Sequence, residues 1–77
     1  MWYVYILLCE DKTLYTGITN NIEARFTKHA AGKGGHYTRS HKPLRIIYTE
    51  PFPTRSDALK REMEIKSWPR ARKIRLL

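Results

Sequence analysis

The chain has 77 residues, room for one domain with one modest core. Lys and Arg total 15 against 7 acidic residues, and the net charge of +8 points to a polyanion, nucleic acid first and an anionic membrane surface second. No apolar run is long enough to span a bilayer, the N-terminus lacks a signal-peptide pattern, and the single cysteine, Cys9, excludes an intramolecular disulfide, so a cytoplasmic setting is expected.

Residues 2–9 are apolar, β-branched and aromatic and read as a strand, with Cys9 as a buried structural thiol. Glu10-Asp11-Lys12 is turn-like, and Thr13 to Ile18 reads as a second strand, giving an antiparallel hairpin. Alternation places Tyr3 and Tyr5 on one face of the first strand, and Tyr15 and Gly17 share a face of the second. With a three-residue turn, Leu7 pairs with Tyr15 and Tyr5 with Gly17, so the two tyrosines become diagonal neighbours. Gly17 is expected to leave space above the strand for a ligand. Any one of these tyrosines alone has packing as its ordinary role.

Asn20 can cap the following helix, with Glu23 three residues on. Ile22, Phe26 and Ala30 then recur every four residues as an amphipathic stripe. Arg25 and His29, also four apart, stack at the edge of that stripe, from which Arg25 can snorkel into a cleft. Glycines end the helix. The stretch from Lys33 through Lys42 mixes cations, rings and glycines, the composition of a phosphate-gripping loop. Lys33, His36, Tyr37, Arg39 and Lys42 are its candidate nucleic-acid contacts. It is not a Walker motif, since no Gly-Lys-Ser/Thr is present.

Leu44 to Tyr48 reads as the third strand, ended by Pro51 and Pro53. Thr54 or Ser56 caps a helix that runs to about Trp68. On its wheel Glu62 falls among Ala58, Leu59, Met63 and Ile65, the core-facing positions, while Glu64 points to water. A carboxylate on a buried stripe is costly unless a cation or donor compensates it. The readings open are an internal ion pair with Arg25, a rotated helix end, or a metal or catalytic role. Pro69 opens a short basic tail helix in which Arg70, Arg72 and Lys73 are candidate phosphate contacts. The expected fold class is α+β: a three-stranded antiparallel sheet in β-β-α-β-α order, helices packed on the sheet, and a basic C-terminal tail helix. One domain is expected over residues 1–77, with a core over 2–68 and the tail over 69–77.

Taken in order, these residues resemble the GIY-YIG nuclease superfamily, and within it the small stand-alone bacterial proteins. Tyr3-Val4-Tyr5 stands at the first signature triplet and Tyr15-Thr16-Gly17 at the second. Arg25 matches the arginine of the first helix, and His29 the histidine often seen one turn later. Ala58-Leu59-Lys60-Arg61-Glu62 is similar to the segment carrying the metal-binding glutamate. The chain departs from the pattern in Tyr for Gly in the first triplet and Thr for Ile in the second. Pro69-Arg70 stands where many members carry an asparagine.

The resemblance implies an endonuclease that hydrolyses DNA phosphodiesters with Mg2+, or another divalent cation such as Mn2+, held by Glu62. Arg25 would neutralise the pentavalent transition state. Tyr15, or Tyr5 in concert with it, would orient the attacking water, and His29 or His36 would serve as base or assist the leaving group. DNA is then the expected partner, with specificity supplied by substrate shape or by a partner protein. Two rivals remain at this stage: a nucleic-acid-binding module that does not cut, and a protein-interaction subunit.

Overall fold

The computed structural model describes residues 1–31 and 42–77, so Lys33, His36, Tyr37 and Arg39 lie outside the described residues. Three strands, β1 (Trp2–Cys9), β2 (Leu14–Thr19) and β3 (Pro43–Phe52), form one antiparallel sheet in the order β2-β1-β3. Helix α1 (Ile22–Ala30) follows β2, and α2 (Arg55–Lys66) and α3 (Arg70–Ile74) follow β3.

β1 is the central strand and is covered on both faces, which is why its sequence is apolar throughout rather than alternating. Its side chains divide by parity. Val4 and Ile6 pack with Ala58 and Ile65 of α2, and Tyr5, Leu7 and Cys9 pack with Ile22 and Phe26 of α1. The two helices therefore cover opposite faces, and the tyrosine face belongs to α1.

The hairpin has the expected register, Tyr5 opposite Gly17 and Leu7 opposite Tyr15. Cys9 N–H donates to the Thr13 carbonyl at 3.0 Å, and the loop between them closes through Lys12 at φ 68°. A left-handed third residue is what a three-residue hairpin loop requires.

Three local readings are corrected. The cap of α1 is Asn21 rather than Asn20: its Oδ1 accepts from Ala24 N–H at 3.0 Å. Thr19 Oγ1 both accepts from the Asn21 N–H and donates to its carbonyl, fixing the junction between β2 and α1. Along α1, Ala30 is exposed and His29 is fully buried, so the inward stripe is Ile22, Phe26 and His29, at i, i+4 and i+7. β3 also runs past Tyr48, through Pro51 to Phe52. It is an edge strand, where a missing N–H costs no ladder bond if it faces outward. A register shift leaves Ile47 unpaired between Tyr48 and Ile46, so Ile47 and Tyr48 both reach the α2 face.

Thr54, one of the two cap candidates, accepts from Asp57 N–H at 3.2 Å and starts α2. Met63, placed inward on the wheel, is instead 64% exposed; Ala58 and Ile65 are the buried positions. Past Pro69 the short α3 turns back. Arg72 lies 4.2 Å over the Trp68 ring, Arg61 approaches the same ring at 5.0 Å, and Leu76 packs on the α2-side core. Among the described residues no helix is long and apolar enough to cross a membrane.

Candidate active site

Tyr5 is fully buried at the centre of the tyrosine face. Its ring runs across β2 above Gly17, and a Cβ built on Gly17 would lie 2.5 Å from the Tyr5 hydroxyl oxygen. The glycine is therefore needed to admit the phenol. This corrects the expectation that its space is left for a ligand.

At that oxygen two groups of α1 converge. Arg25 Nε–H donates to it at 3.3 Å, and His29 Nε2 lies 2.9 Å away. The phenol accepts from Arg25, and either imidazole tautomer satisfies the second contact, Nε2 accepting from the phenol or Nε2–H donating to it, while Nδ1 is buried without a partner among the described residues. The junction capped by Asn21 aims the helix so that residues four apart reach one hydroxyl.

Tyr15 completes the cluster. Its ring centroid lies 6.2 Å from that of Tyr5 and 5.3 Å from that of His29, edge-on to the imidazole, and with Tyr5 it helps to raise the pKa of the Arg25 guanidinium. Tyr15 is only half-buried, whereas Tyr5 is sealed. Of the two phenols, Tyr15 is the one accessible to water.

Burial pushes the Tyr5 phenol above its ordinary pKa, Tyr15 and Glu62 add to that rise, and the hydrogen bond from Arg25 opposes it. Burial, and then the charge of Arg25, pull His29 below the ordinary imidazole range, so the ring is neutral at neutral pH. Arg25 is raised, chiefly by its bond to Tyr5, and stays cationic.

Glu62 comes from α2, on the far side of the sheet, yet its charge acts on Tyr5. The Glu62 side chain is 12% exposed and its ion-pair partner among the described residues is Lys66, at 3.6 Å, rather than Arg25. Lys66 Nζ also stands 5.9 Å from the centre of the Tyr15 ring. Lys66 joins the glutamate to the tyrosine and was not singled out in the sequence. Its only signal there was the i, i+4 spacing from Glu62.

Tyr5, Tyr15, Arg25 and His29 are thus brought into one cluster, Glu62 is linked to it through Lys66, and other sequence candidates lie elsewhere. Lys42 pairs with Glu10 at 3.9 Å beside the hairpin turn. Arg70 Nη1 donates to the Lys12 carbonyl, and Arg72 is stacked on Trp68. Lys73 lies half-buried on α3.

Among the described residues no three acidic, His or Cys side chains group to hold a metal. Glu62 is the carboxylate whose charge reaches Tyr5. Its oxygens make no contact shorter than the 3.6 Å pair with Lys66 among the described residues. One available carboxylate fits magnesium, which keeps several waters and takes phosphate oxygens as further ligands.

The chain is similar to a UPF0213 protein of Staphylococcus haemolyticus, 47% identical over 75 residues, covering 97% of this chain and 92% of that protein. It is 52% identical over 75 residues to a UPF0213 protein of Natronomonas pharaonis, covering 97% of this chain and 88% of that one. The solution NMR structure of a UPF0213 protein from Bacillus halodurans shares the fold at a TM-score of 0.61 and 44% identity, covering 99% of this chain and 82% of that chain. The family model described as the GIY-YIG catalytic domain matches residues 1–75, nearly the whole length, and the chain belongs to the GIY-YIG family.

Proposed function

We propose that this protein is an endonuclease that hydrolyses DNA phosphodiester bonds with one divalent cation, magnesium or manganese, held at Glu62. The observation that carries the reading is the convergence on one buried phenol of a guanidinium and a neutral imidazole, with the second phenol beside them and Lys66, the partner of Glu62, over its ring. Packing alone does not require these groups to meet. Ionic groups gathered beside a buried phenol are a mark of functional sites.

When bound, the cation polarises the phosphate and stabilises the departing oxygen. The protein's own groups do the rest. Arg25, fixed by the Tyr5 hydroxyl, is directed at the charge that develops on the phosphoryl oxygens. Tyr15, half-exposed and beside Arg25, orients the attacking water, whose proton passes to the surrounding solvent. Tyr5 and His29 are positioning residues. The imidazole fixes the phenol where its oxygen accepts from Arg25. Lys66 neutralises the Glu62 carboxylate when no cation is bound.

The test is magnesium-dependent cleavage of branched, single-stranded and duplex DNA by the wild type, Glu62→Ala and Arg25→Ala. Cleavage by the wild type and its loss in both variants is the expected result. A folded wild type that cuts nothing, or variants that cut equally well, would overturn the reading. Retained DNA affinity with a steep salt dependence would then leave a binding module.

A further inference from the structure

A second feature opens from the same arginine. A cavity of about 260 Å³ lies where β2 meets α1, and Arg25 lines it while its Nε is bonded to Tyr5 in the tyrosine cluster. Arg25 is thus a shared wall. A phosphate gripped by Arg25 places the adjoining nucleotide at this cavity.

The other walls suit a nucleobase. Trp2 lines it with a partly buried indole that also packs on the α2-side core and has Arg55 5.7 Å over its ring, and any base can stack on the aromatic surface left open. Asn20 supplies an exposed carboxamide that makes no hydrogen bond among the described residues. Its neighbour Asn21 is committed to capping α1. A carboxamide presents a donor and an acceptor side by side, the complement of a base edge. Lys28, exposed and one turn beyond Arg25, adds a cation at the rim for a flanking phosphate.

We propose that this cavity is a subsite for one unpaired nucleobase beside the phosphate that is cut, with Trp2 and Asn20 as its base contacts and Lys28 on the flanking phosphate. The proposal rests on the phosphodiesterase reading of the tyrosine cluster. It also narrows the substrate class. A base inside a duplex is stacked and paired and cannot enter a side pocket unless it is extruded. The substrate is then a strand with an unpaired nucleotide next to the scissile bond.

Binding without divalent cation separates the subsite from the chemistry. Trp68→Phe keeps a ring under Arg72 and leaves Trp2 as the sole indole of the chain. With this variant, Trp2 fluorescence and the anisotropy of end-labelled ligands are followed for a short oligothymidylate, an oligomer of equal length lacking every base, and a blunt duplex. The expected result is quenching of Trp2 by oligothymidylate alone and affinity about tenfold above that of the base-free oligomer. Asn20→Ala, at an exposed position, should remove a severalfold part of that advantage and leave the base-free oligomer unaffected. Equal affinity with and without bases, or binding that leaves Trp2 unquenched, overturns the subsite. If cleavage still depends on Arg25 and Glu62 in that case, the hydrolytic reading stands alone. If no oligomer binds, both readings fall.

Discussion

The Tyr5 hydroxyl lies 2.9 Å from His29 Nε2, across a sequence separation of 24 residues, and both side chains are fully buried. The bond ties the central strand to the first helix at the point where Arg25 also arrives. A contact of this kind serves stability and geometry together.

Tyr5→Phe should therefore cost about 1–3 kcal/mol of stability, because it leaves a buried imidazole nitrogen without its partner. The double variant Tyr5→Phe/His29→Leu should cost less than the sum of the two single changes. Urea denaturation of the four proteins measures this coupling. Strict additivity would show that the bond contributes nothing.

Gly17→Ala puts a methyl group 2.5 Å from the Tyr5 oxygen and 2.7 Å from the ring carbon that bears it. Those atoms belong to a sealed ring with two bonded partners and cannot move aside freely. The expected loss is about 1–3 kcal/mol, with cleavage falling as Arg25 is displaced. Thermal melting and a cleavage assay report the two effects. A variant as stable and active as the wild type would show that the ring has room to shift.

The lowered pKa of His29 sets a sign for pH dependence. Between the folded value and the unfolded value of about 6.5, the unfolded chain binds more protons. Stability contributed by neutral His29 is thus fully present above about pH 6.5 and is lost as pH falls below it. Denaturation midpoints should drop between neutral pH and pH ~5, and His29→Gln should flatten that dependence. An unchanged slope in the variant would assign the acid sensitivity to other groups.

Glu62 and Lys66 should separate metal use from folding. Glu62→Gln should lower magnesium-dependent cleavage by more than about 100-fold, beyond the loss typical of a supporting group around a metal. DNA affinity measured without metal should change little. Lys66→Gln removes the cation that competes for the carboxylate, and the half-saturating magnesium concentration should fall severalfold. Titration calorimetry with manganese gives a reading independent of activity. A raised metal requirement in Lys66→Gln would show that the lysine organises Glu62 rather than competing for it.

Local chemistry made much of this protein legible in the sequence. The apolar run of β1, the turn at Glu10-Asp11-Lys12 and the resulting register placed Tyr5 and Tyr15 as diagonal neighbours before any coordinates. Periodicity of two and a fixed loop length suffice for that. The wheel of α2 likewise marked Glu62 as inward, and its side chain is 12% exposed. Where local signals competed, the reading slipped. Two adjacent asparagines offered two caps, and the Thr19 hydroxyl decided between them by bonding Asn21. Ala30 fitted the apolar stripe better than His29 by composition, but only His29 has a phenol to meet.

Which groups meet belonged to tertiary structure alone. Residue identity states that Glu62 needs a partner, but it cannot show that the partner is Lys66, because Arg25 satisfies the same charge rule. Spacing shows that Gly17 lacks a side chain, but not that the Tyr5 ring fills the space. The physical reason is range. Periodicity, caps and turns act over a few residues and are written in order along the chain. The cluster at Tyr5 joins a strand to the helix on one face and is linked through Lys66 to a glutamate from the helix on the other, and those distances exist only once the sheet lies between them.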